Sequence, residues 1–324
     1  MKVFITGGTG FIGNHLVKRL LETDHELVCL AREKSKTQFL EDSGVKIIIG
    51  DVTDKNSFQN SLEGCDWLIH LASSFVFWVP KNKVYHEVNV TGTRNVMECA
   101  LEKGISKIVY VSTAAVYGNA AKPTSEETPV GTIRASKYVQ TKYEGDLIAW
   151  DLYKKRNLPL VVIYPSAVLG PNDPKACGRY INNYAKGRMP AQVLTKCSFP
   201  FVHVKDIAEA IVRALEKENN IGEKYIVSAE NLTFGQFNQM IREISGKKLP
   251  VLKLPVWTTV MTAYLLTGLS NLIRKPPLWD LSADQVCLMK QDFDMDGSKT
   301  SRELGIEYIP IYNGIKEAIE SFSK

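Results

Sequence analysis

Short apolar runs alternate with amphipathic stretches along the first half of the chain. The apolar runs are rich in β-branched residues and predict six strands, at 2–6, 26–31, 45–50, 67–72, 107–112 and 160–165. The amphipathic stretches have the apolar spacing of helices and lie at 11–23, 55–64, 89–104 and 136–157. Apolar strands joined by helices are typical of a parallel sheet that is covered on both faces. The sequence therefore predicts an α/β fold with a doubly wound parallel sheet.

The pattern changes after about residue 170. Pro- and Gly-rich loops and short helices replace the alternation, which predicts a smaller mixed lobe inserted at the C-terminal end of the sheet. Two later segments, 201–217 and 224–229, again have the helix and strand patterns of the first half. We therefore expect a large domain made of 1–170 plus about 201–230, and a smaller lobe made of about 171–200 and 231–324.

The composition is typical of a cytoplasmic globular protein. The 324 residues are 44% hydrophobic and carry a net charge of +5 with no long Lys/Arg block, so nucleic acid is not an expected partner. The six cysteines are scattered without a CxxC pair, as in a reducing compartment, and no metal site is predicted. We expect no signal peptide, because the first strand begins at Lys2.

One segment, 256–273, is long, apolar and uncharged. It also contains several Thr, Ser, Asn and Gly residues, which are unusual in a membrane span. Two interpretations remain, a helix that is buried or covers a substrate, and a peripheral membrane contact. The first is favoured.

A glycine turn, "TGGTGFIG" at 6–13, lies between the first strand and the first helix. Gly7 allows the tight turn, Gly10 lets the backbone approach a pyrophosphate, and Gly13 permits close packing of helix and sheet. The N-terminus of the helix adds free N–H groups and the positive end of its dipole. In this βαβ context the motif predicts a dinucleotide site, to which Thr9, Phe11 and Ile12 also belong.

Asp51 and Val52 follow the third strand, in "GDVTD". The Asp51 carboxylate is in a position to accept a hydrogen bond from an adenine amino group. Alternatively, it caps the helix predicted at 55–64.

A Tyr and a Lys four residues apart occur in "YVQTK", at Tyr138 and Lys142. This spacing places both side chains on one helix face, where the ammonium would lower the high pKa of the phenol. Tyr138 could then transfer a proton to a substrate oxygen. Thr113, which follows Ser112 at the end of the fifth predicted strand, would hold that oxygen by a hydrogen bond. The second YxxxK, Tyr312 and Lys316, follows a Pro without a preceding hydroxyl-rich strand and is interpreted as part of a surface helix.

These motifs, taken together and in order, resemble the extended short-chain dehydrogenases/reductases. The matching segments cover about two thirds of the chain and are "TGGTGFIG", "GDVTD", "HLAS", "NVTGTRNV", "VYVSTAAVYG", "YVQTK", "YPSAVLGP" and "FVHVKDIAEA". The resemblance implies a Rossmann-type domain that binds a nicotinamide cofactor, with a smaller substrate-binding lobe. It also implies a homodimer, formed through the helix of 89–104 and the helix that holds Tyr138.

Residue roles follow from the same resemblance. It implies a catalytic set of Thr113, Tyr138 and Lys142, with Lys142 also bonding the nicotinamide ribose and Asn89 ordering the site. The cofactor would further contact two short segments, Leu71, Ala72 and Ser73 in the first and Pro165, Ser166, Ala167 and Val168 in the second. Two departures from the family pattern, Tyr164 in place of Arg and Lys205 in place of Asp, are expected to leave the chemistry unchanged.

The chain lacks an Arg that nucleotide-sugar epimerases of this family use to bind diphosphate, and Ser198, Phe199 and Pro200 stand there instead. Three basic residues are nearby in sequence, Arg179, Lys186 and Arg188, so a phosphate-binding cluster formed by them stays an alternative. The second lobe is similar to that of the branch of dihydroflavonol-4-reductase-like and hopanoid-associated epimerase-like proteins. We therefore favour a reductase acting on an uncharged, fairly apolar ketone or alcohol. The alternatives are a nucleotide-sugar epimerase or dehydratase with tightly bound cofactor, and a cofactor-binding regulator without turnover.

A basic stretch ends the second predicted strand. In folds of this kind that bind NAD, an acidic residue at this place binds the 2′-hydroxyl. Arg32 lies 19 residues after Gly13, with Lys34 and Lys36 following and Glu33 between. A guanidinium suits a 2′-phosphate instead. The sequence therefore favours NADP(H) over NAD(H), with Arg32 and Lys36 as phosphate ligands. The alternative is an exposed turn with no ligand.

Overall fold

The computed structural model describes residues 1–79 and 83–322. Its strands are β1 Lys2–Thr6, β2 Glu26–Ala31, β3 Lys46–Ile49, β4 Trp67–His70, β5 Lys107–Val111, β6 Leu160–Pro165, β7 Ala167–Leu169, β8 Ser198–His203, β9 Lys224–Val227 and β10 Glu230–Thr233. Its α-helices are α1 Phe11–Leu20, α2 Gln38–Asp42, α3 Lys83–His86, α4 Thr93–Glu102, α5 Lys137–Arg156, α6 Ala176–Ala185, α7 Val204–Glu216, α8 Phe234–Ser245, α9 Val256–Ile273, α10 Ala283–Met289, α11 Ser298–Leu304 and α12 Ile311–Ser321.

Seven strands form one parallel sheet in the order β3-β2-β1-β4-β5-β6-β9. The strand order reverses at β1, which lies between β2 and β4. Helices α1 and α7 pack together on one face, and α4 and α5 on the other. This confirms the doubly wound parallel sheet. Ligands of such sheets bind outside the carboxyl ends of the strands at the reversal point.

The second sheet is smaller and mixed. Strand β8 pairs antiparallel with β10 and parallel with β7. Helices α6, α8 and α12 pack around a separate apolar core that includes Phe201, Phe234 and Phe237. The chain between 201 and 230 serves both parts, since α7 and β9 belong to the large sheet while β8 belongs to the small one. The division into two domains stays a prediction.

Two predicted helices differ from the structure. Residues 55–64 form two single 3₁₀ turns, Lys55–Ser57 and Gln59–Leu62, because Phe58 between them departs from helical geometry, with φ −140° and ψ −13°, and buries its ring. The helix predicted from residue 89 begins earlier, because α3 continues directly into a π-turn over Glu87–Gly92, which continues into α4.

Helix α5, which carries the predicted catalytic pair, is 20 residues long. Ser136 begins it by accepting a hydrogen bond from the Val139 N–H, and Asn157 ends it in the left-handed conformation. Its outer face and that of α4 would form the predicted homodimer, which stays a prediction.

Helix α9 corresponds to the apolar segment predicted at 256–273. The expectation that it is buried is wrong, whereas the other half of that interpretation, a helix that covers a substrate, stays a prediction. Only 17% of its residues are buried, because its small and polar residues face the protein and its large apolar ones face outward. By length and composition it could also cross a membrane, which is weak evidence for one helix.

Both departures from the family pattern occupy structural positions. The Tyr164 ring is buried, and its hydroxyl accepts a hydrogen bond from the Trp150 indole N–H at 3.2 Å. Lys205 is exposed and pairs with Glu317 at 3.0 Å. Neither residue lines the main cavity of the described chain.

Asp206, the neighbour of Lys205, gives the stability of the fold a pH dependence. Its carboxylate accepts a hydrogen bond from the Ile309 N–H at 3.0 Å, and burial raises its pKa to about 7. Between the ordinary pKa of Asp and this value the folded chain binds a proton that the unfolded chain releases. The contribution of this group to the free energy of unfolding therefore falls as the pH rises through that window.

Asp206→Asn keeps an acceptor oxygen and removes the titration. We expect the difference in Tm, variant minus wild type, to be larger at about pH 8 than at about pH 4.5, by about 2–5 °C. Differential scanning fluorimetry across this range measures it. A Tm difference that does not change with pH would show that Asp206 titrates as it does in the unfolded chain.

Candidate active site

The glycine turn brings the end of β1, the start of α1 and the end of β4 into close contact. Gly7 has a φ of +79°, and a Cβ there would lie 2.7 Å from the Ala72 nitrogen. A Cβ on Gly13 would overlap the Gly7 carbonyl oxygen. Side chains at either position would push the helix and the strands apart.

The first turn of α1 offers donors to an anion. Its N-cap is Gly10, which has no side chain to bond the first N–H groups, and Phe11 and Ile12 donate their N–H groups to no acceptor among residues 1–79 and 83–322. Both residues line a cavity of about 630 Å³. Free N–H groups at the positive end of a helix dipole fit the pyrophosphate of a dinucleotide.

This cavity runs from the glycine turn past β5 and α5 into the small lobe. Most of the predicted site residues line it: Gly7, Thr9, Gly10, Phe11, Ile12, Gly13, Arg32, Asp51, Val52, Leu71, Ala72, Ser73, Thr113, Tyr138, Pro165, Ser166, Ala167 and Val168. Three predicted residues do not, Lys36, Asn89 and Lys142.

Arg32 lies at one end of the cavity, directly after β2. It is exposed and forms no ion pair within residues 1–79 and 83–322, and Ser35 lines the cavity beside it. Lys34 and Lys36 are exposed and lie outside the cavity wall. A phosphate contact from Lys36 is therefore not supported in this geometry, whereas Arg32 is free to make one.

Asp51 does not cap the turn that follows it. Its carboxylate accepts hydrogen bonds from the N–H and hydroxyl of Thr53, both at 2.9 Å, whereas Asp54 caps the 3₁₀ turn by accepting from the Asn56 N–H. Asp51 also lines the cavity. The capping alternative is therefore wrong, and the proposed contact with adenine stays a prediction.

Tyr138 and Thr113 lie together on the cavity wall. Tyr138 is buried, which raises the pKa of its phenol, and the nearby hydroxyls of Thr113 and Ser73 offset part of that effect. Ser112, the other hydroxyl at the end of β5, instead donates a 2.6 Å hydrogen bond to the buried Asp146 carboxylate. Of the two hydroxyls, Thr113 is the one available to a substrate.

Lys142 lies behind this wall. Its ammonium donates to the Tyr110 hydroxyl at 3.0 Å and to the Val111 carbonyl at 2.9 Å. Burial lowers its pKa to about 8, while the nearby Asp146 acts in the opposite direction. Burial also raises the pKa of Asp146 to about 6, against the effect of Lys142. A cation and an acid are thus buried side by side within one turn of α5.

The expectation that Lys142 lowers the pKa of Tyr138 is wrong for this geometry. Burial raises the pKa of the phenol, and its hydroxyl neighbours offset only part of that effect. The reason is the direction of the ammonium, which bonds the carboxyl end of β5 instead of the phenol. Tyr138 is consequently protonated at neutral pH.

Asn89 connects three parts of the site from the π-turn. Its side-chain oxygen accepts hydrogen bonds from the Ser73 hydroxyl at 3.1 Å and the Ser74 N–H at 2.8 Å. Its amide donates to the Thr141 hydroxyl at 3.0 Å. Asn89 therefore fixes the loop after β4 relative to α5, which agrees with an ordering role and excludes direct contact with a cavity ligand.

The sequence did not identify the far wall of the cavity. Phe75 and Phe77 meet the Tyr138 ring edge-on, with ring centres 5.0 and 6.3 Å away. The wall continues with apolar and aromatic residues from the small lobe: Tyr180, Phe199, Phe201, Phe234, Phe237, Leu288, Met289, Phe293 and Met295. Their sequence segments are far apart and carry no motif.

Lys175 is another residue that the sequence left out. It lines the cavity with its ammonium 5.8 Å from the Phe75 ring centre. Burial lowers its pKa, Asp173 acts in the opposite direction, and Arg32 lowers it further. By contrast, Arg179 pairs with Asp280 at 3.1 Å, and Lys186 and Arg188 are exposed away from the cavity. These last three do not form a phosphate clamp here.

The fold and the site together define a class of protein. A glycine turn lies at the reversal point of the parallel sheet, with Thr113 after β5 and Tyr138 and Lys142 on α5 close by. This combination defines an NAD(P)-dependent oxidoreductase of the extended short-chain type. Residues 3–228 match the NAD dependent epimerase/dehydratase family. The chain belongs to this family, and the resemblance found in its sequence is confirmed.

Relatives extend this likeness over nearly the whole chain. A Synechocystis protein that carries the provisional name dihydroflavonol 4-reductase is 28% identical over 98% of this chain and 94% of its own length. Sterol demethylase protein B of Methylococcus capsulatus is 30% identical over 94% of this chain and 93% of its own. The crystal structure of gox2253 superposes with a TM-score of 0.84 at 31% identity, covering 99% of this chain and 97% of that one.

Proposed function

We propose that the protein is an NADP(H)-dependent reductase of an uncharged, apolar carbonyl compound, or a dehydrogenase of the corresponding alcohol. One observation carries the proposal, the aromatic and apolar wall that faces Tyr138. The charged residues among those that line the cavity are Arg32, Asp51, Asp173 and Lys175. Arg32 and Asp51 lie on the β2 and β3 side, next to the adenosine end of the predicted cofactor site. A wall of this kind suits a substrate that is held by apolar contact.

The chain supplies the proton and holds the carbonyl oxygen, while bound NADP(H) supplies or accepts the hydride. In reduction, Tyr138 donates its proton to the carbonyl oxygen, and Thr113 donates a hydrogen bond to the same oxygen. The raised pKa of the phenol keeps it protonated, which is the state that this direction requires. Burial by Phe75 and Phe77 removes water that would compete for the oxygen.

The names of two relatives support an apolar substrate. One names a dihydroflavonol and the other a sterol, and both match over more than nine tenths of this chain. We therefore propose a ring-containing ketone or alcohol of low polarity.

The epimerase alternative lacks a comparable observation. A nucleotide sugar brings a diphosphate, but Arg179, Lys186 and Arg188 lie outside the cavity wall. Lys175 is a half-buried cation on the cavity wall, and burial and Arg32, at the cofactor end, both lower its pKa.

A turnover assay separates these functions. Purified protein is incubated with NADPH or NADH and a panel of flavonoid and steroid ketones, and cofactor oxidation is followed at the absorbance of the reduced nicotinamide. UDP-glucose and dTDP-glucose serve as the comparison set. We expect stoichiometric NADPH consumption with an apolar ketone. Conversion of a nucleotide sugar without net cofactor consumption would replace the proposal by the epimerase, and binding of cofactor without any turnover would favour a regulator.

A further inference from the structure

Helix α9 has an inverted distribution of polarity. Thr259, Ala263 and Ser270 are the residues that it buries against the protein. Trp257, Leu265 and Leu272 face outward and are 68%, 67% and 81% exposed. A surface helix of a water-soluble protein normally buries its large apolar side chains, so this outer face is adapted to an apolar environment.

The apolar surface continues beyond both ends of the helix. Val251 and Leu252 precede it, Leu278 and Trp279 follow it, and all four are exposed. We call the exposed apolar residues of 251–279 the α9 surface. Scattered exposed apolar residues are ordinary, but such a concentration marks an interaction site.

The charges within the segment that carries the α9 surface are of one sign. Residues 246–279 contain five basic residues and no Asp or Glu. The five are Lys247, Lys248, Lys253, Arg274 and Lys275, which are exposed and form no ion pairs within 1–79 and 83–322. Uncompensated cations on both sides of an apolar helix complement anionic headgroups above an acyl layer. A second copy would meet the same charges across a two-fold interface and be repelled.

Helix α9 is also attached to the cavity. The Trp78 indole N–H donates to the Asn271 side chain at 2.9 Å, at the end of a loop whose residues 73–77 line the cavity. The Thr267 hydroxyl accepts from the Ala283 N–H at 2.8 Å, where α10 begins. Leu288 and Met289 of α10 line the same cavity. Two cavity walls therefore rest on α9.

We propose that the α9 surface docks the protein on an anionic lipid bilayer, with the helix lying in the plane of the interface. The helix does not span the bilayer, because Thr259, Ala263 and Ser270 keep it packed on the protein. Docking does not depend on the proposed reductase activity. If that activity is also correct, the bilayer is where its apolar substrate dissolves, and docking places the cavity walls beside it.

Vesicle flotation tests the docking. The wild type is mixed with vesicles of phosphatidylcholine alone or with about 30% phosphatidylglycerol, and the floated fraction is measured. The variant Leu265→Glu/Leu272→Glu changes two exposed side chains of the α9 surface. Ile221→Glu is the matched control, since Ile221 is an exposed apolar residue on the turn before β9, outside the α9 surface. Circular dichroism confirms that each variant is folded.

We expect the wild type and Ile221→Glu to float with the anionic vesicles, and the double variant to lose at least about tenfold in partition. Flotation should weaken as salt is raised. Absence of flotation for the folded wild type, or an equal loss for Ile221→Glu, would overturn the proposal. So would a wild-type oligomer that the double variant dissociates without any vesicle binding, because the surface would then join two copies. None of these readouts requires turnover, so a failed reductase assay leaves the result intact.

Discussion

Replacing Tyr138 by Phe is expected to lower kcat by about 10²–10⁴-fold, because the variant loses the proton donor of the proposed reaction. The ring itself is retained, so its edge-on contacts with Phe75 and Phe77 should persist. Cofactor binding, measured by titration of nicotinamide fluorescence, should change by less than about threefold. The separation of these two effects is what a proton-transfer role predicts.

The chain contains its own control for this substitution. Tyr312 belongs to the other YxxxK sequence, is exposed on α12 and is not among the residues that line the cavity. Tyr312→Phe removes the same hydroxyl and should leave kcat unchanged. If Tyr138→Phe retained activity within a few fold of the wild type, another group would have to donate the proton.

Replacing Arg32 by Asp should reverse the cofactor preference. The guanidinium at the end of β2 forms no ion pair within the described part of the chain and lies on the cavity wall, so we expect it to bind a 2′-phosphate. A carboxylate in its place would repel that phosphate and accept from the 2′-hydroxyl of NADH. The affinity for NADPH should fall by about 10–100-fold, while that for NADH changes by less than about threefold or improves.

Lys34→Asp makes the same change of charge two residues further along, outside the cavity wall. It should weaken NADPH binding by less than about threefold, since only long-range attraction is lost. Equal losses of NADPH and NADH affinity in Arg32→Asp would show that the residue supports the turn and does not select the cofactor.

The sequence predicted the large sheet well because the signals for a parallel strand are local. Strands β1, β2 and β6 have the predicted bounds, and β3, β4 and β5 are shorter by one or two residues. Each is a short apolar run, and all but the edge strand β3 are largely buried on both faces. The helix predicted at 55–64 was wrong because burial of the Phe58 ring, a tertiary effect, interrupts a stretch that is helical by its own pattern.

Helix α9 shows a different limit. Its bounds were predicted correctly, but an apolar segment does not reveal which environment its apolar face meets. The expectation of burial assumed that the protein itself would cover Trp257 and Leu265. The positions of α10 and of the loop that carries Trp78 show that α9 contacts the protein through polar side chains, Thr267 and Asn271, instead.

For the site, the sequence located residues that belong to contiguous motifs. It placed Tyr138, Thr113 and the glycine turn on one cavity. It missed the aromatic wall, because Phe75, Phe199 and Phe237 come from separate segments. It also gave the wrong direction for the pKa of Tyr138, since that depends on where the Lys142 ammonium points.

The reversal of strand order at β1 has a practical consequence. Residues after β2 and β3, such as Arg32 and Asp51, line one end of the cavity, and residues after β5 and β6 line the other. An adenosine fragment bearing a 2′-phosphate should therefore occupy its own half of the site without the reactive half being engaged. A resin that displays 2′,5′-ADP should retain the wild type and Tyr138→Phe equally but release Arg32→Asp. Such a resin would separate variants by their recognition of the cofactor, independently of catalysis.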